Sequence, residues 1–173
     1  MTTRVMALAL AAVAVALTSC APARPARAPG YDIDLITPLP PSFEVHLPAT
    51  DIPPAVAALA GIWQGEWTSA GTEGGAGLVS HTLVVTRILP AGQGHSASVI
   101  WSVGRWPDDW KVGEEGFWEA QAIIDADGTL RVTPPTTGAG MAVYRSAGKD
   151  AILAGDYTQG PRPLKGVFRR LPK

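Results

Sequence analysis

Residues 60–67 read AGIWQGEW. Trp63 and Trp67 share one parity with Gly61 and Gly65, while Gln64 and Glu66 take the other. Strict alternation marks a strand with one buried face. Alternating the largest side chain with the smallest has a physical use. Glycine lets a strand bend sharply and leaves gaps in which two indoles lie without colliding. The inner wall of a small closed barrel makes both demands at once.

The rest of the chain repeats this texture. Eighteen of the nineteen glycines fall from Gly61 onward, and eight short alternating runs follow one another: 61–68, 81–88, 96–104, 116–125, 129–133, 141–146, 151–158 and 164–171. PAGQG, DADG, SAGKD and QGPRP separate them as turn signals, and Asp127-Gly128 is the strongest hairpin signal of the set. No segment sustains a 3.6-residue period. Short connections make consecutive strands antiparallel neighbours. A meander of eight strands leaves two open edges unless it closes on itself. The expected fold is therefore all-β, an eight-stranded antiparallel up-and-down barrel over residues 59–173.

Gly61-Ile62-Trp63 resembles the G-x-W signature that opens the first strand of lipocalins and other calycins. The resemblance implies that Trp63 plugs one barrel end beneath an arginine of the last strand. Arg170 shares its parity with Phe168 and fits that role better than Arg169. The region 59–171 is also similar to a group of bacterial lipocalin-like domains with the pattern G-x-W-x-G-x-W, L-V-V-x-x-I, A-S-V-x-[YW]. It departs from lipocalins in lacking their disulfide and the helix after the barrel.

The N-terminus has a different character. Arg4 precedes an uninterrupted apolar run from Val5 to Leu17. A charged start, a short apolar middle and small residues after it form a secretory signal over residues 1–19. Leu17-Thr18-Ser19-Cys20 resembles the lipobox of bacterial lipoproteins. That resemblance implies a diacylglycerol thioether on Cys20, cleavage before it and acylation of its new amino group. It places the chain in a bacterial envelope, and Ala21 after the cysteine favours the outer membrane, facing the periplasm. Cys20 is the only cysteine, so no disulfide forms within the chain. Nine of the sixteen prolines lie in residues 21–54, which makes 20–58 a semi-rigid tether. Within it, YDIDLI and SFEVHL are short segments able to dock. Pro53-Pro54 before AVAALAG reads as a helical turn or two ending at Gly61.

A formal net charge of −1 with scattered basic residues gives no stripe for nucleic acid. No G-x-S-x-G, H-E-x-x-H or P-loop is present. His46 falls in the tether, and His81 and His95 flank one hairpin, some eight residues apart along it, too far to share a metal. Glu66, Glu119 and Asp156 sit on outward parities. The sequence points to neither an enzyme nor a cofactor.

All six tryptophans lie between residues 63 and 118. Trp67, Trp101 and Trp118 take inward parities and are candidate ligand contacts, as are Tyr144 and Tyr157. Trp118 shares its face with Ala120 and Ala122, which leaves room for a ligand or for a neighbour's indole. Arg87 and Arg145 are possible polar handles. The 105–115 loop carries Trp106 and Trp110, as a lid, a partner-facing patch or a rim packed onto the barrel. Three functions remain open at this stage: a barrel holding a small apolar or lipid-like ligand, a module binding an envelope protein or inhibiting a protease, and a filled structural barrel. Oligomeric state is likewise open.

Overall fold

A computed structural model describes residues 37–69, 79–106, 114–134, 140–147, 152–159 and 162–172. One short helix, α1 (Pro54–Ala57), precedes eight strands: β1 (Gly61–Ser69), β2 (Val79–Ala91), β3 (Gly94–Val103), β4 (Gly116–Ile124), β5 (Leu130–Val132), β6 (Met141–Ser146), β7 (Ile152–Gln159) and β8 (Arg162–Arg170). Each strand pairs antiparallel with the next, and β8 returns to pair with β1 in a closed barrel. The up-and-down topology read from the alternation is the one observed. The turn chemistry holds locally: Gly92 and Gly128 have φ of +57° and +82°, which glycine adopts without strain.

One residue interrupts the period. The β2–β3 register shifts between Val85 and Arg87, so Thr86 is bulged. Before the bulge odd positions of β2 face inward (His81, Leu83, Val85), and after it Ile88 does. His95 pairs with Pro90, one position beyond the Leu89 that an unbroken hairpin centred on residue 92 would give.

Pro54 starts α1, where a missing N–H costs nothing. Val56, with Ile52, Leu59 and Ala60, joins the main core and closes the barrel end at which β1 begins. The opposite end, where β1 finishes and β2 starts, is the mouth.

The chain before α1 departs from expectation. Residues 37–52 do not stand off the barrel as a tether; they lie on its outer wall as a strap, and SFEVHL, read as able to dock, is part of it. Ile62, Val84 and Ile100 face outward on β1, β2 and β3 at one level and are nevertheless buried. Leu39 completes their cluster, and Phe43, Val45 and Leu171 pack against it. The Thr37 hydroxyl bonds Thr82 Oγ1 at 2.7 Å, the Ser102 hydroxyl donates to the Pro38 carbonyl, and the His46 amide donates to the Thr86 carbonyl at 2.8 Å. An apolar stripe on an outer wall costs free energy in water, and the strap removes that contact. Residues 1–36, including the apolar run and Cys20, lie outside the described residues. Among those described, no helix is long and apolar enough to cross a membrane.

Candidate functional site

Trp63, Gly61 and Arg170 meet at the closed end. Trp63 pairs with Arg170 across the β1–β8 seam, and the guanidinium carbon stands 5.8 Å from the indole centroid. The Trp63 indole N–H donates to the Leu59 carbonyl at 2.8 Å, and the Arg170 guanidinium donates to the Ala60 carbonyl. The pair thus holds the α1–β1 connection as well as the seam. Gly61 takes φ +138°, and a Cβ there would sit 3.0 Å from Arg170 Nε. Only glycine meets both conditions.

The candidate ligand contacts converge deeper in the barrel, on one another. Trp67, Trp101, Tyr144 and Tyr157 are buried in one chain of ring contacts that also takes in His81 and Phe168. Trp67 lies 4.9 Å from Phe168 edge-on and 6.1 Å from Trp101 in a stacked pose. Gly155 and Gly166 make this possible. A Cβ on either would approach the Phe168 ring to 2.7 Å or less, and one on Gly155 would also meet Trp67 at 2.8 Å. Trp118 and Ala120 also face inward but are half-buried, where β4 runs past the end of the three-residue β5. Trp106 is tucked into the core; Trp110 lies outside the described residues. Arg87 and Arg145 point outward, and Arg145 pairs with Asp156 at 3.0 Å. Glu66, Glu119 and Asp156 are exposed as their parity requires.

Sequence reasoning weighed His81 only as a metal ligand with His95, and the structure buries it among the rings. Its parity with Leu83 and Val85 was the available signal. Its Nδ1 is 2.7 Å from the Ser102 carbonyl and its Nε2 is 2.8 Å from the Tyr144 hydroxyl. A carbonyl only accepts, so Nδ1 carries the proton and Nε2 accepts from Tyr144. Complete burial pushes the His81 pKa down to about 3, although the bond to Ser102 opposes the shift. Burial, reinforced by Tyr157, holds the Tyr144 phenol well above its ordinary value. Both groups are neutral at pH 7. The bond joins β2 to β6, which stand four strands apart in either direction around the ring. It is a crossbar through the lumen.

Three hollows lie elsewhere. A groove of about 680 Å³ runs over the outside of β7, β8 and β1. A second, of about 320 Å³, lies between the strap and β3–β4, and a third flanks the β2–β3 turn. None is lined by the ring cluster. Among the described residues no group of three His, Cys, Asp or Glu is placed to hold a metal. No protein-family model, curated protein or solved structure matches this chain.

Proposed function

We propose that this chain is a lipid-anchored envelope protein whose barrel is a filled scaffold presenting its surface to a protein partner. The observation that carries the reading is the His81–Tyr144 crossbar. A carrier of the lipocalin type holds its ligand in the lumen, and here that space is occupied by rings in mutual contact. A ligand at this level would have to break a buried hydrogen bond and leave both partners unsatisfied, at a cost of about 1–3 kcal/mol each. The absence of any enzyme motif fits the same reading. Phe117 and Met141 stand exposed at the mouth rim and are the natural first contacts for a partner. The anchor rests on Cys20 and its LTSC context.

Native mass spectrometry of the protein extracted from its own membrane tests the proposal. The expected mass is that of the acylated chain with no further small molecule, together with a heteromeric species that Phe117→Asp/Met141→Asp abolishes without unfolding the barrel. A stoichiometric small molecule that survives extraction would overturn the filled-scaffold reading.

One observation favours a second reading. The Trp67 indole N–H is buried with no hydrogen-bond partner, and such groups call for an explanation. A small acceptor entering from the mouth, past the half-buried Trp118, would satisfy it. Bound small molecule lost in Trp118→Ala would support that alternative.

A further inference from the structure

The groove of about 320 Å³ beside the strap has Phe43, Glu44 and His46 on one side and Arg87, Glu119 and Gln121 on the other. Along the strap, Phe43 and Val45 pack toward the wall while Ser42 and Glu44 are exposed, the alternation of an extended chain. The His46 amide ties this stretch to the Thr86 carbonyl. Among the described residues the backbone of 42–45 makes no other hydrogen bond and none of its own. An extended chain with open donors and acceptors is a template for a second extended chain.

The charge of the groove says what that chain carries. Glu44 is exposed on the strap, Glu119 is exposed on β4, and Glu114 and Glu115 stand exposed just before β4 begins. Glu44 has His46 at 3.7 Å; Glu114, Glu115 and Glu119 have no ion-pair partner among the described residues. Arg87 is the one arginine or lysine on the lining. Four carboxylates against one guanidinium attract a basic segment. Phe117, exposed at the mouth rim, shares the outward face of β4 with Glu119 and Gln121, so the groove runs on from the rim.

We propose that the protein partner at the mouth rim lays an extended basic segment in this groove. Its main chain pairs with strap residues 42–45, and its lysines or arginines meet Glu44 and Glu119. The inference rests on the partner reading above and names the chemistry that the partner brings. The strap then has two tasks: it covers Ile62, Val84 and Ile100, and it offers an edge that a closed barrel otherwise lacks.

A short peptide alternating lysine and valine, capped at both ends, is the probe. It should move the amide NMR signals of residues 42–46 and 117–121 in the full-length mature protein. Glu44→Lys/Glu119→Lys should weaken its binding about tenfold, and Asp51→Lys/Glu66→Lys, the same charge change elsewhere on the surface, should leave it within about twofold. Methylating alternate main-chain nitrogens of the peptide keeps its charge and removes donors, and should also weaken it about tenfold. Binding that ignores methylation, or that both double variants weaken equally, would overturn the proposal. In native mass spectrometry of the membrane extract, Glu44→Lys/Glu119→Lys should abolish the heteromeric species. A heteromer that survives this change but not Phe117→Asp/Met141→Asp would overturn the groove and leave the partner reading standing. No heteromer from the parent protein would overturn both, and a homodimer lost in Glu44→Lys/Glu119→Lys would give the groove to a second copy and overturn the proposal as well.

Discussion

Arg170 lies over Trp63 across the seam that closes the barrel, its guanidinium carbon 5.8 Å from the indole centroid. Each side chain also bonds a backbone carbonyl of the turn beneath, at Leu59 and Ala60. Trp63→Ala should cost about 3–5 kcal/mol, the range for emptying a large buried aromatic. Arg170→Ala should cost about 1–2 kcal/mol through lost stacking and lost cover. In denaturant titrations the two losses should not add, because each removes the same contact. A coupling near zero would mean that the pair does not hold the end together.

His81 sets an acid limit on stability. Its folded pKa is about 3 and its unfolded value 6.5, so between these the unfolded chain binds the extra proton. Stability from this group is complete above pH 6.5 and falls as pH drops toward 3, by about 1.4 kcal/mol per unit. Asp127 adds in the same direction at the lower end, because the amide and hydroxyl of Thr129 hold its pKa below the usual value. Urea midpoints from pH 7 to pH 4 should drop steeply in the parent protein. They should drop much less in His81→Gln, which starts lower.

The glycines of β7 and β8 should behave as packing residues. Gly155→Ala places a methyl 2.7 Å from the Phe168 ring and 2.8 Å from Trp67. Overpacking of this kind costs about 1–3 kcal/mol. The Trp67 fluorescence should shift, because its surroundings are the ones displaced. A silent Gly155→Ala would mean that the cluster has slack.

Removal of the strap should be costly. A chain beginning at Thr37 should fold with nearly full core stability, whereas one beginning at Pro53 exposes Ile62, Val84 and Ile100. Two or three apolar side chains at about 1.5–3 kcal/mol each place the loss at roughly 3–9 kcal/mol. Equal unfolding midpoints for the two chains would show that the strap covers the wall without stabilising it.

The barrel was legible because its signals are local. Alternation sets a strand within six residues, and Asp127-Gly128 sets a hairpin within two, so the eight runs match the eight strands to within two or three residues. The inward parity of Trp67, Trp101 and Phe168 followed from the same period, whereas that of Tyr144 and Tyr157 was settled only by the structure, which buries both. The strap was legible only in part: SFEVHL was read as able to dock, but not against which face. Leu39, Phe43 and Val45 are spread among prolines with no repeat, and prolines argue for extended chain without saying what it lies against. A trace of it was nonetheless present in Ile62, an isoleucine at a parity otherwise held by Gln64 and Glu66. An apolar residue on a wetted face implies a cover. His81 was lost for a different reason. Its partner Tyr144 is sixty-three residues away, and nothing in a linear pattern pairs strands that do not touch along their edges.

The closing seam also governs how the molecule assembles. Seven of the eight strand pairings join neighbours in sequence, while the eighth joins β1 to β8 and brings Trp63 to Arg170 across the whole barrel. Loop-closure entropy delays such a contact until the hairpins between have shortened the effective chain. The seam should therefore form after the rate-limiting step. Substitutions at Trp63 and Arg170 would then act almost wholly on the unfolding limb of the chevron, with φ near zero. The lifetime of the closed barrel, more than the speed at which it forms, is what this pair controls.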